Sequence, residues 1–436
     1  MLRFDPERGR KQIHIMRILQ VGPIPPDVGG RTRGGVATHV WSLANHLATQ
    51  SHQVAVFADN YVSRHSRSEF KDAVEIYGRQ RPLRTLQTNQ LSRFTFWKIA
   101  LLTKSHFSSV QSWSEVILKS LDYYRVIALF QPDVIHVHHL ENRFPYVHFL
   151  TNGRFPTVTT VHSTHSLEVV DSKRSDLQHQ FVERNLTLAP PLIFVGHFVK
   201  KRYLELFSHR LETIRTWVIQ NPVDISKYHP VPQEKARQHI HKESNLPLIL
   251  FVGGLIPRKG PKLLIDSATR LKAKGLTFHL MIVGEGPQKR ELQEMIQERD
   301  LRSYVSLEGP KSQAELPYYY GAADIFVLPS SSEGFALVFV EAMSCGCPII
   351  GTQGVVDELI SSEDYGFTAP LNDANSLSQV IEKALHRSWN RERIRNYALQ
   401  FDWTVKVREF EQVYQTLKGI PVDSHTFSPK LGGDGR

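Results

Sequence analysis

Cysteine is scarce, with only Cys345 and Cys347 in 436 residues, which excludes a disulfide framework and agrees with a reducing compartment. Long apolar runs are missing too. No stretch reaches the roughly 18–20 consecutive apolar residues that a membrane-spanning helix requires. The first fifteen residues, MLRFDPERGRKQIHI, mix both charge signs and lack the apolar core of a signal peptide, so a cytoplasmic protein is expected. There is no short-period repeat or low-complexity tract. The apolar (41 %) and charged (22 %) fractions are those of folded proteins, which excludes wholesale disorder.

Acidic residues are sparse in the first half. Up to Gln220 there are 28 Lys and Arg against 17 Asp and Glu, and beyond it 25 against 26, so the net charge of +10 is carried N-terminally. The excess points to an anionic partner. Its densest stretch interleaves Arg84, Arg93, Lys98 and Lys104 with Phe94, Phe96, Trp97 and Phe107. That composition suits an acceptor or an anionic membrane surface, peripherally bound, and equally an amphipathic helix with a basic outer face. Nucleic acid fits the charge but finds no motif and is not expected.

What is present is a repeated alternation of short apolar runs and helix-period segments. MRILQVG, HQVAVFA, DVIHVHH, TVTTVHS and LIFVGH read as buried parallel strands. The segment GGVATHVWSLANHLATQ carries Val36, Val40, Leu43, Ala44 and Leu47 at helical spacing. After the polar stretch HPVPQEKARQHIHKESNLP, which has linker composition, the series resumes with LILFVGG, FHLMIVGEG, VSLEG, ADIFVLPS and PIIGTQG. The pattern predicts an α/β protein of two Rossmann-like, doubly wound parallel-sheet domains facing a central cleft. The boundaries expected are a flexible extension over 1–15, with Met16 a candidate start, then domains over 16–225 and 226–395. A C-terminal helix over 396–420 crosses back to the first domain, and a disordered tail covers 421–436.

In doubly wound sheets ligands bind beyond the carboxyl ends of the strands. There the stretch SSSEGFALVFVEAMSCGCPII sets Glu333 and Glu341 eight positions apart. A helix starting near Gly334 would rotate them by only about 80° and separate them by roughly 12 Å. Both carboxylates would then line one site, with the free N–H groups of Phe335, Ala336 and Leu337 offered to an anion. The span matches a sugar, a diphosphate and a ribose. A dipole-facing Glu333 and a solvated Glu341 would read the same way. Lys259 and Arg258 follow the strand in FVGGLIPRKG and could neutralise a diphosphate. Gly34 and Gly35 open the first helix and permit close backbone approach. His162 ends the strand in TTVHSTH, with His165 a weaker candidate. His136 and His138 share a strand face, but two imidazoles without a third ligand make a poor metal site, so no metal is expected. Cys345 and Cys347 are read as structural.

Taken together, these stretches resemble glycosyltransferase family 4, the retaining group 1 type of GT-B fold. The resemblance runs through GGVATHVWSLANHLA, DVIHVHH, TVHS, NPVDISKYHP, FVGGLIPRKG, IVGEGPQKREL, LPYYYGAADIFVLPS, PSSSEGFALVFVEAMSCGCPII and GFTAPLNDANSL. It implies a retaining transferase moving a sugar from a UDP- or GDP-linked donor, without cofactor, to a lipid-linked glycan or surface-polysaccharide precursor. It assigns Glu333 and His162 to the donor sugar, Glu341 to the ribose, and Gly253, Gly254, Gly334 and Glu285 to the donor side. The family's arginine after the strand glycine is here Gly254, with Arg258 as a substitute. In TQGVVDELI, Gly354 and Glu358 fit a loop supporting the nucleotide, and Val355 stands where a second glycine is usual. The sequence has no Asp-x-Asp, which argues against metal-bridged nucleotide binding. A nucleotide-sugar epimerase or phosphorylase of the same fold, or a weakened homologue serving as a binding subunit, stays open.

Overall fold

A computed structural model describes residues 14–32, 34–62, 68–79, 113–140, 143–164, 172–242 and 246–421. The chain divides into two compact units. The first takes the residues up to Thr160 with Gln180–Leu192 and the chain from Phe410; the second takes Val161–His179 and Ile193–Glu409.

The N-terminal sheet has eight strands: β1 (Arg17–Val21), β2 (Gln53–Val62), β3 (Glu69–Lys71), β4 (Val74–Arg79), β5 (Val134–His138), β6 (Thr157–Val161), β7 (Leu192–Phe194) and β8 (Thr216–Val218). Their order is β3-β4-β2-β1-β5-β6-β7-β8. β1 pairs in parallel with β2 and β5, β2 with β4 and β5 with β6, whereas β3 runs antiparallel to β4. The five strands read from sequence are all here. The additions are β3 and β8 at the two edges of the sheet and β4 beside β3, whose short or mixed sequences lack the continuous apolar run of a covered strand. Helices α1 (Gly35–Thr49), α2 (Trp113–Phe130), α3 (Phe144–Thr151), α4 (Ser172–Leu186) and α5 (His197–Leu211) connect them. The buried face of α1 is Ala37, His39, Val40, Leu43, Ala44 and Leu47, so Val36 lies off it.

The second sheet has six strands: β9 (Leu248–Val252), β10 (His279–Val283), β11 (Val305–Gly309), β12 (Ile325–Leu328), β13 (Ile349–Thr352) and β14 (Gly366–Ala369). Their order is β11-β10-β9-β12-β13-β14, with parallel pairing throughout. Around them lie α6 (Gln233–His239), α7 (Pro261–Ala273), α8 (Lys289–Glu298), α9 (Leu316–Ala322), α10 (Leu337–Ser344), α11 (Ala374–Leu385) and α12 (Arg391–Ala398). The presumed linker thus contains a helix, α6, which only Ala236 buries. The winding reverses between β9 and β12, whose registers pair Ile249 with Ile325. At such a switch point the loops beyond two neighbouring strands diverge and leave a crevice.

The last helix, α13 (Trp403–Leu417), contributes its final turns to the first unit. There the Tyr414 hydroxyl meets His136 Nδ1 at 2.7 Å and accepts from Gln20 Nε2 at 3.2 Å. His136 Nε2 contacts Thr160 Oγ1 at 2.6 Å, and His138 Nε2 contacts Gln20 Oε1 at 2.7 Å. Burial holds the His136 imidazole well below its usual pKa, hence neutral. With both ring nitrogens engaged, His136 anchors a helix. His52 Nε2 to Glu411 at 2.9 Å adds a second tie. Among the described residues no helix is long and apolar enough to cross a membrane.

Candidate active site

The crevice beyond β9 and β12 is built by two loops that lock together. After β9, Pro257–Lys259 forms a 3-10 turn closed by Gly260 in the left-handed region (φ 69°). A Cβ on Gly260 would lie 2.3 Å from the Pro329 carbonyl oxygen, so only glycine lets the two loops touch. The Ser331 N–H donates to the Arg258 carbonyl at 2.9 Å, and the Arg258 guanidinium donates to the Ser332 carbonyl.

This zipping places charge. Lys259 Nζ lies 2.7 Å from Glu333 Oε1, and an Arg258 guanidinium nitrogen lies 3.3 Å from Oε2. Glu333 is only 7 % exposed. Two cations on one nearly buried carboxylate leave a local excess of positive charge, the condition for holding an anion. The three predicted residues are therefore brought together.

The next residue, Gly334, presses on the chain at the end of β6. A Cβ there would lie 2.1 Å from the His162 carbonyl oxygen, which fixes the buried His162 beside the Glu333 loop. α10 begins at Leu337 rather than near Gly334, with Ala336 as N-cap and no side-chain cap. Phe335 and Ala336 therefore precede the helix. The Phe335 ring packs against Phe401, with centroids 5.7 Å apart. Glu333 stands outside the helix, and it is the loop that sets its position relative to Glu341, in place of the helical rotation expected.

Glu341, on α10, is half-buried. Its Oε2 accepts from the Tyr320 hydroxyl at 2.9 Å, and the buried Tyr228 phenol acts electrostatically on the same carboxylate. Burial pushes its pKa up to about 7, and the two phenols oppose the rise. These tyrosines were not singled out from sequence. Both are buried, Tyr320 at 0 % and Tyr228 at 5 % exposure.

The loops that carry Gly253 and Glu285 meet through the backbone. A Cβ on Gly284 would lie 1.9 Å from the Gly253 carbonyl oxygen, and the Leu255 N–H donates to the Glu285 carbonyl at 3.0 Å. The Glu285 side chain turns to solvent and pairs with Lys289 at 3.2 Å. Gly254 is exposed, and a Cβ there would find its nearest neighbours at 4.0 Å. In the first unit, Gly34 caps α1 at φ 127°, and a Cβ on Gly34 or Gly35 would meet nothing within 4 Å. Glu358 is engaged elsewhere: its Oε2 accepts from the His197 N–H at 3.1 Å and Gln220 Nε2 at 3.3 Å, which caps α5. Cys345 and Cys347 are both buried, and burial raises both thiols. Arg84, Arg93, Trp97, Lys98, Lys104 and His165 lie outside the described residues.

Comparison with known proteins agrees with this geometry. The model for "Glycosyl transferases group 1" matches residues 232–401, and that for "Glycosyltransferase Family 4" matches residues 33–227. An uncharacterized glycosyltransferase of Methanocaldococcus jannaschii is 25 % identical over 291 residues, 65 % of this chain and 76 % of that one. The gpi3 subunit of the Schizosaccharomyces pombe phosphatidylinositol N-acetylglucosaminyltransferase is 24 % identical over 390 residues, 88 % of this chain and 78 % of that one. The Erwinia amylovora amylovoran biosynthesis glycosyltransferase AmsK is 34 % identical over 154 residues, covering only 34 % of this chain and 37 % of that one. Among solved structures, sucrose-phosphate synthase from Thermosynechococcus elongatus superposes with a TM-score of 0.69 at 19 % identity, over 92 % of this chain and 99 % of that one. Anabaena HepE, in complex with UDP and glucose, gives 0.63 at 18 %, over 92 % and 100 %. Two α/β units with parallel sheets, the GT-B fold of these neighbours, and consecutive family matches along the chain lead to one assignment: this protein belongs to the group 1 glycosyltransferases of glycosyltransferase family 4.

Proposed function

We propose that the chain transfers a sugar, with retention at the anomeric carbon, from a UDP- or GDP-linked donor to a lipid-linked glycan or surface-polysaccharide precursor. Lys259 and Arg258 neutralise the diphosphate as it leaves, and Glu333 and His162 orient the sugar. Glu341 takes the ribose hydroxyls, while the bare N–H groups at the start of α10 approach the phosphates; Gly34 and Gly35 offer open backbone for the donor in the first unit. The acceptor oxygen forms its bond to the anomeric carbon on the face from which the phosphate oxygen departs, and that phosphate oxygen takes the acceptor's proton. Two side-chain cations supply the charge that a divalent ion supplies elsewhere, so the reaction is metal-independent.

The observation that carries this reading is the convergence of Lys259 and Arg258 on Glu333 at the switch point of the second sheet. The names of the relatives support the acceptor class, one acting in amylovoran biosynthesis and one on phosphatidylinositol. HepE's complex with UDP and glucose supports the donor class. The basic first half supports acceptor binding at an anionic membrane surface. Purified protein incubated with UDP- and GDP-sugars and a lipid-extract acceptor, with and without EDTA, tests the reading. Transfer that persists in EDTA is expected, and donor hydrolysis or epimerisation without transfer would overturn it.

A further inference from the structure

We propose that Tyr228 and Tyr320 are positioning residues that orient the Glu341 carboxylate toward a vicinal diol and so make the site discriminate ribonucleotides from 2′-deoxyribonucleotides. The proposal rests on the reading of Glu341 as the ribose contact and deepens it.

Tyr320, on α9, is 0 % exposed, and Tyr228, in the loop before α6, is 5 % exposed. Their rings meet edge to face, with centroids 6.3 Å apart; the Tyr320 hydroxyl donates to Glu341 Oε2 at 2.9 Å, and Tyr228 acts on the same carboxylate from beside it. The chain around them is fixed from the other side. Arg395 on α12 donates to the Ser344 carbonyl at 2.6 Å and to the Tyr228 carbonyl at 3.4 Å, joining the end of α10 to the Tyr228 loop. The Tyr320 ring packs on Phe326 of β12 at 5.6 Å. Neither phenol can move without disturbing the core.

An ionised carboxylate has about four lone-pair sites, and the Tyr320 phenol uses one of them, on Oε2. At least the two that the 2′ and 3′ hydroxyls of a ribose require stay available. The identity of the holding groups also matters. The groups acting on Glu341 are its two phenols, with Cys345 next along the helix under the influence of Arg391 and Arg395. Held by phenols, the carboxylate keeps its appetite for neutral donors, and a ligand lacking the 2′ hydroxyl leaves a lone pair unmet.

The test is calorimetric binding of UDP, GDP and their 2′-deoxy counterparts to the full chain, between pH 6 and 8.5, for the unaltered protein, Tyr320→Phe, Tyr228→Phe and Glu341→Gln. The unaltered protein is expected to prefer the ribonucleotide by about tenfold or more. Each Phe variant should bring that ratio to within about twofold while leaving the 2′-deoxy affinity almost unchanged. The pH below which ribonucleotide binding weakens should also move upward, because a lost phenol donor disfavours the ionised carboxylate. A ratio and a pH inflection unchanged in both Phe variants would overturn the proposal and leave the tyrosines as core residues. No ribose preference in the unaltered protein, with Glu341→Gln binding equally well, would overturn the reading of Glu341 itself. Two isosteric variants at separate sites keep the test decisive should one of them fail to fold.

Discussion

Replacing Glu333 by Gln separates two effects that one carboxylate combines. In the free protein Glu333 neutralises Lys259 at 2.7 Å and Arg258 at 3.3 Å, and the diphosphate of the proposed donor draws on the same cations. The carboxylate therefore competes with the group it helps to place. At an effective dielectric of about 20, a negative charge about 6 Å from a phosphate opposes it by ~3 kcal/mol, and ionic screening lowers this to about 1–2 kcal/mol. Glu333→Gln removes the opposition at constant volume, so nucleoside diphosphate binding should tighten about five- to thirtyfold. The same change removes the charged acceptor offered to the donor sugar. A charge-assisted hydrogen bond realised in the transition state is worth about 1.5–3 kcal/mol, so transfer should slow about ten- to a hundredfold. Stability should also fall, by about 3 kcal/mol, because two cations lose a nearly buried partner. Calorimetry with UDP and GDP, turnover of labelled donor and urea melts read the three effects separately. Weaker nucleotide binding in the variant would refute the reasoning by making Glu333 a direct ligand of the nucleotide, and unchanged turnover would remove it from the sugar site.

The other predictions come from the packing. Gly334→Ala sets a methyl group against the His162 carbonyl, where the available distance is 2.1 Å, so the loop must shift; a loss of about 2–4 kcal/mol in urea melts is expected together with loss of nucleotide binding. Glu358→Gln weakens the cap on α5, where the carboxylate accepts from the His197 N–H at 3.1 Å; stability should fall by about 1 kcal/mol with nucleotide affinity retained. The carboxyl of Glu341 is raised to about 7 in the folded protein, above its unfolded value. Its contribution to stability is therefore fully present below about pH 4.5 and lost as pH rises through about 7, by an amount of order 2 kcal/mol. Urea melts across that window should show the decline, and Glu341→Gln should flatten it. Gly254→Arg enters open space, with neighbours no nearer than 4.0 Å, so its thermal midpoint should match that of the unaltered protein.

Much of the fold was legible because buried parallel strands announce themselves. The runs at β9 and β12 are continuous apolar stretches, and those at β1, β5 and β10 are largely apolar, broken by Arg17 and Gln20, by His136 and His138, and by the leading His279; burial on both faces favours that composition. β14 was passed over because GFTA is short and begins with a glycine whose Cβ would lie 1.8 Å from the Ile349 carbonyl oxygen. The helix α6 was read as linker because its sequence, QEKARQH, is almost wholly polar, although most of its residues are good helix formers. In the site, Lys259, Arg258 and Glu333 could be read from loops beyond strands. The close approach of Gly334 to the His162 carbonyl could not, since the two residues lie 172 positions apart in the chain. The roles of Tyr228, Tyr320 and Glu358 were hidden for the same reason: each acts through a partner distant in sequence.

The central claim is that Lys259 and Arg258 hold the donor's diphosphate. It is tested most directly by titrating UDP and GDP, and the corresponding monophosphates, into the unaltered protein and the Lys259→Met, Arg258→Gln double variant. A nucleoside diphosphate bound well by the unaltered protein and about a hundredfold more weakly by the variant, with the monophosphate much less affected, is the predicted result. Equal diphosphate affinity in the two proteins would contradict it.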